Sequence, residues 1–337
     1  MWKLYMSLYY FTLIVGSTIA ITANSWLITW VGLEINLMGL MPLMANLNKK
    51  YSSEATIKYF LIQVLASSLF LFSSTILSTQ IMAYGLEVNN MDSFMLCSAL
   101  LLKIGAAPFH FWLPEVMSGS NWKINFIILT WQKVAPMIII QQTMPNPLYF
   151  SIIIIASAIF SGIQGMNQTN LRKIMAYSSI NHSSWMMASI MLSLKLWICY
   201  FTIYSLINAF IFSMLNSANI YTIAQLNSFF MFNKMKKISF LLSFLNLGGL
   251  PPFLGFLPKW MVVLNLTQYK YFSIAILIII FTLITLYFYI RMSLSTFSIN
   301  SEESLINFFN KMNYFSIMIN IFSLISLIFG ALLNYNL

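Results

Sequence analysis

Charge is scarce in this chain. Of its 337 residues only 7% are Asp, Glu, Lys or Arg, and only seven of those are acidic. A soluble globular protein carries roughly 25% charged residues, which excludes a surface facing water all round. Cysteine and histidine are equally rare, with two of each: Cys97, Cys199, His110 and His182. Both cysteines lie in apolar segments. They exclude a disulfide framework and a cysteine-held iron–sulfur cluster, and four such scattered ligands do not make a tetrahedral metal site. A soluble domain, a long linker and an Arg- and Ser-rich transit peptide are also lacking. The first 23 residues have no basic n-region beyond Lys3, and we read them as a retained helix rather than a signal peptide.

Apolar residues are what the chain has, at 60%. Apolar runs of about 20 residues recur from end to end, the length of a bilayer-spanning helix. They do not alternate as barrel strands would. The fold class is therefore an all-α polytopic membrane protein. Eleven spans are expected, at 4–22, 24–46, 55–83, 93–117, 122–143, 148–166, 172–193, 196–220, 238–267, 272–292 and 314–334.

The loop charges orient these spans. The N-terminal side holds Lys3, Lys49, Lys50, Lys58, Lys123, Arg172, Lys173, Lys234, Lys236, Lys237, Arg291 and Lys311, whereas the other side holds only Lys195 and Lys270. By the positive-inside rule the N-terminus faces the cytoplasm or the mitochondrial matrix. The net charge of +10 then reflects topology and lipid headgroups, and nothing calls for nucleic acid as a partner.

Four charges are left inside spans: Glu34, Lys103, Lys133 and Lys259. Each costs about 2.5–3.5 kcal/mol at the bilayer centre. One acid cannot pair with three bases, so the surplus lysines are neutral or hydrated, and either state suits a group that exchanges protons. Helix glue or snorkelling is the alternative, but a mid-span side chain is some 15 Å from water along the axis. His182 and His110 serve equally well as polar packing or as proton relays.

Helix breakers adjoin two of the lysines. Gly105 and Pro108 follow Lys103 in span 4. Span 9 reads "LGGLPPFLGFLPKW" over 247–260, placing Gly248, Gly249, Pro251, Pro252, Gly255 and Pro258 before Lys259. In lipid, a broken helix survives only where it is buried in protein or lines a cavity. Broken helices at matching positions of two halves point to an inverted repeat. The halves would be 1–143 and 148–292, with 314–334 as an extra C-terminal helix.

The stretches "WVGLEINLMGLMPL" (30–43), "EATIKYFLIQVLASS" (54–68), "SALLLKIGAAPFHFWLPEV" (98–116), "TWQKVAP" (130–136), "NQTNLRKIMAYSSINHSSWMM" (167–187) and "LGGLPPFLGFLPKW" (247–260) together resemble the chain 2 family of NADH–ubiquinone oxidoreductase. These are antiporter-like membrane subunits of respiratory complex I, here in the shortened animal mitochondrial form. The resemblance implies a membrane-arm subunit of a proton-translocating enzyme, with no cofactor in this chain. NAD, FMN, iron–sulfur clusters and ubiquinone would belong to partner subunits. It implies a Glu34–Lys103 pair in a first half-channel, Lys133 as a bridging lysine and Lys259 in the second broken helix. Because neither charge is stable alone at that depth, Glu34 and Lys103 are expected within direct or one-water contact. Implied partners are other membrane-arm subunits, protons and membrane lipids, with cardiolipin a candidate. The implied location is the mitochondrial inner membrane, with the N-terminus in the matrix and the C-terminus in the intermembrane space. A stand-alone cation/proton antiporter and a purely structural scaffold are the rival classes.

Overall fold

The computed structural model describes residues 2–45, 50–84, 90–143, 146–230, 234–251 and 253–297. The expected helix 314–334, Lys311 and Pro252 lie outside the described residues. The chain divides into two compact units, Met1–Ser157 and Ala158–Leu337, and among the described residues every named element is a helix.

The first unit contains α1 (Trp2–Thr22), α2 (Trp26–Met44), α3 (Lys50–Tyr84), α4 (Asn90–Ile104), α5 (Trp112–Gly119), α6 (Trp122–Leu129), α7 (Trp131–Thr143) and the start of α8 (Pro147–Met166). Lipid offers no hydrogen bonds, so the backbone must satisfy itself within each helix. Most serines and threonines follow suit: Ser17, Ser67 and Ser73 donate to the carbonyls of Ile14, Val64 and Phe70 three residues back, which hides a hydroxyl in an apolar span. Helices α1 and α2 approach backbone to backbone. A Cβ on Gly16 would stand 2.6 Å from the Asn36 amide, and one on Gly32 would stand 2.6 Å from the Ala20 amide, the small-residue packing that membrane helices favour.

The second unit contains the rest of α8, then α9 (Leu171–Leu192), α10 (Leu194–Ala218), α11 (Ile223–Phe230), α12 (Lys234–Gly248), α13 (Phe256–Gln268) and α14 (Phe272–Phe297). Helix α9 is buried without a gap from Ile174 to Ile190. Near its start a two-residue bridge pairs Asn170 with Thr222, and Arg291 of α14 donates to the carbonyls of Met166 (2.6 Å) and Gln168 (2.8 Å). A cation thus closes the C-terminal end of α8, where the helix dipole is negative.

Among the described residues seven stretches are long and apolar enough to cross a bilayer, in α1, α2, α3, α6 with α7, α8, α10 and α14. Expected spans 4 and 9 each divide into two helices, α4/α5 and α12/α13. Expected span 5, 122–143, is one apolar stretch over Trp122–Thr143, with a local irregularity at Thr130 where α6 gives way to α7. Thr130 sits at φ −111°, ψ −76°, and its hydroxyl donates to the Phe126 carbonyl at 2.7 Å, a back-bond that bends helices. The stretch between expected spans 196–220 and 238–267 holds α11 and the first turn of α12.

Candidate functional site

The interruption in the first unit is closed by a glycine cap. Gly105 has φ +75°, a conformation that side chains resist. The Gly105 and Ala106 amides both donate to the Leu101 carbonyl, at 2.9 and 3.2 Å, the pattern of a helix C-terminus that stops rather than bends. Two neutral side chains take the next freed carbonyls. Trp112 Nε1 donates to Leu102 at 3.1 Å, and Gln63 Nε2 donates to Lys103 at 3.4 Å. Helix α5 restarts against α3. The rings of Tyr59 and Trp112 lie 5.8 Å apart, and Lys58 and Glu115 form an exposed ion pair at 2.6 Å.

Lys103, the penultimate residue of α4, is buried. It lines a cavity of about 10 Å³ with Asn36, Tyr59, Gln63, Gln132 and Pro136, room for about one water molecule. Glu34 on α2 is half-buried and within Coulombic range of Lys103. Of the direct or one-water contact expected, the direct ion pair within 4.0 Å is not formed: the ion pair among the described residues of this unit is Lys58–Glu115. Leu33, Asn36 and Leu37 of α2 line the cavity, and Glu34 is not among its lining residues. Lys133, the third residue of α7, is 1% exposed, and its amide donates to the Thr130 carbonyl at 3.1 Å across the interruption. His110 lies within the 105–111 break, fully buried and stacked on Phe111 at 4.4 Å.

The second unit repeats the cap. Gly249 has φ +73°, and the Gly249 and Leu250 amides both donate to the Leu245 carbonyl, at 3.1 and 3.5 Å. Asn246 Oδ1 accepts the Gly255 amide at 2.6 Å, which ties the two half-helices together. Lys259 is buried. Its Nζ donates to the Gly248 carbonyl at 2.8 Å and reaches the Leu247 carbonyl at 3.5 Å. The Trp185 ring centroid is 6.0 Å from Nζ, within the range of a cation–π contact.

Beside this lies a buried polar cluster of which the sequence reading named only His182. His182 Nδ1 is 2.8 Å from the Tyr200 hydroxyl, and its ring centroid is 4.9 Å from that of Tyr204. Tyr204 faces Asn208 and Ser179, and Asn181 Nδ2 donates to Thr285 Oγ1 at 3.1 Å. A signal was available: Tyr200, Tyr204 and Asn208 recur every fourth residue, one polar stripe along an otherwise apolar helix.

The three intramembrane lysines therefore share a setting. Each is buried, and each lies within four residues of a helix interruption.

Residues 23–285, which include all four intramembrane charges, match the family described as NADH:quinone oxidoreductase/Mrp antiporter, transmembrane. The chain is 43% identical over 334 residues to NADH-ubiquinone oxidoreductase chain 2 of Anopheles gambiae, covering 96% of both chains. It belongs to the NADH-ubiquinone oxidoreductase chain 2 family. The chain 2 protein of Locusta migratoria is 40% identical over 316 residues, covering 94% of this chain and 92% of the other. Among solved structures, a chain from respiratory complex I of Thermus thermophilus matches with a TM-score of 0.85 at 22% identity, over 98% of this chain and 78% of that one. The chain 2 family fold is thus the antiporter-like one.

Proposed function

We propose that this chain is a membrane-arm subunit of H⁺-translocating NADH:ubiquinone oxidoreductase, and that Glu34, Lys103, Lys133 and Lys259 carry its protons. The electron chemistry runs in partner subunits, which hold the redox cofactors. The chain is a multi-pass protein of the mitochondrial inner membrane. In our reading its N-terminus lies in the matrix, its C-terminus in the intermembrane space, and anionic lipids such as cardiolipin meet the basic side.

The observation that carries this reading is the burial of three lysines at three helix interruptions in a chain with so few charges. A lone ammonium in the bilayer is expensive unless dipoles or water compensate it. At Lys259 the compensation is two carbonyls. At Lys103 it is a cavity of one-water size, with Glu34 acting by charge from outside contact range. Protons enter from the matrix side, load Lys103 and Lys133 in one half (1–143), and load Lys259 in the other (148–292). His182 and His110 serve as relays beside them, and 314–334 is an added helix.

The test is Lys133→Met in the assembled complex. Methionine keeps the length and apolar stem, and burying a thioether is easier than burying an amine, so assembly is expected. NADH-driven proton uptake and coupled turnover should fall sharply. Native pumping by an assembled variant would favour the scaffold reading.

A further inference from the structure

We infer that Asn36 and Gln132 are positioning residues that order the proton path between Lys103 and Lys133. The inference rests on the function proposed above and adds residues it does not assign.

Gln132 has two relationships at once. It lines the cavity at Lys103, and it is the residue before Lys133, at the start of α7. Its Nε2 donates to Asn36 Oδ1 at 2.9 Å. Asn36 is 2% exposed and lines the same cavity. That bond uses one donor and one acceptor. It leaves the Gln132 amide oxygen and second N–H, and both N–H groups of Asn36. Pro136 also lines the cavity and has no N–H for the carbonyl four residues back, which is that of Gln132. The wall thus presents both donors and acceptors around room for about one water molecule, which needs two to four polar partners.

Carboxamides suit this position. An amide is too weak a base to take the proton from Lys103, and too weak an acid to give one up. It has no charge to compete with the lysines, but its dipole fixes a water molecule so that one lone pair faces the donor and one O–H faces onward. An apolar wall would leave the cavity dry. The alternative is that the Asn36–Gln132 bond only joins α2 to α7. That role requires the bond but gives no reason for both residues to face Lys103.

The test uses the assembled complex in vesicles, measuring the rate of NADH-driven proton uptake and the solvent deuterium isotope effect on turnover. Gln132→Met keeps the shape and removes the dipole. Proton uptake is expected to fall by roughly tenfold, and the isotope effect is expected to rise as the hop becomes limiting. In a Lys133→Met background the same substitution should cost nothing further, because both act on one step. The exchange pair Asn36→Gln with Gln132→Asn keeps a bonded carboxamide pair and should restore pumping. If Gln132→Met does not assemble, Gln132→Asn alone shortens the reach without making the wall apolar, and the same loss is expected. Native pumping by either single variant, an equal loss in the Lys133→Met background, or failure of the exchange pair would overturn the inference. If Lys133→Met itself pumps normally, the parent reading fails instead.

Discussion

Lys259 reaches back across the interruption in its own span and places its ammonium 2.8 Å from the carbonyl oxygen of Gly248. A helix end leaves four carbonyls without partners. At the end of α12, two of these are met by a charge that the proposed function requires to come and go. At the end of α4, the corresponding work is done by Trp112 and Gln63, which are neutral. The two caps have the same backbone and different side-chain chemistry.

Lys259→Arg and Lys259→Met separate charge from proton exchange. Arginine stays cationic and can still meet carbonyls, but it does not release its proton. Both variants should lose most NADH-driven pumping. Hydrogen exchange in the assembled complex should show residues 245–250 opening faster in the methionine variant and at a near-native rate in the arginine variant. Full pumping by the arginine variant would sink the assignment of Lys259 as a proton carrier.

Three glycines of one span should respond differently to alanine. A Cβ on Gly255 would run into the Asn246 carbonyl oxygen, so Gly255→Ala must push the half-helices apart. At Gly249 the positive φ and the Lys259 ammonium at 2.9 Å both oppose a side chain. At Gly248 the nearest neighbour is 3.6 Å away. Yield of assembled complex should drop for Gly255→Ala and Gly249→Ala and stay close to native for Gly248→Ala. Equal yields across the three would contradict the interruption as described.

Tyr200→Phe removes the partner of His182 Nδ1 while keeping the ring. A neutral hydrogen bond contributes about 0.5–1.5 kcal/mol, so the complex should assemble. If His182 relays protons, Tyr200→Phe and His182→Gln should each slow pumping, and the double variant should be no slower than the worse single one. Unchanged pumping in both single variants would leave the pair as packing alone.

Much of this architecture was legible because a charge inside a span is costly and stands out. Counting charges isolates Glu34, Lys103, Lys133 and Lys259, and counting breakers finds the interruptions at 105–111 and 249–255. Neutral polar groups escape such counting. Burying an amide or hydroxyl that finds a partner costs little, so Asn36, Gln63, Gln132 and Tyr200 look ordinary in sequence. The interruption at Thr130 escaped for a related reason: threonine is common in spans, and its back-bond to Phe126 is visible only in three dimensions. The Glu34–Lys103 distance was not legible either, because it depends on which face of α2 turns inward.

Helix α9 shows no face to its surroundings over the seventeen residues from Ile174 to Ile190. Yet it carries "YSSINHSS" at 177–184, a stretch too polar to be accepted by lipid for its own sake. Such a segment has nowhere stable to rest in the bilayer until its neighbours are there. Only Ser193 separates it from α10, 25 residues of far more apolar helix. Insertion of α9 therefore depends on α10, α13 and α14, the helices packed on it, to shield His182 and its tyrosines from lipid.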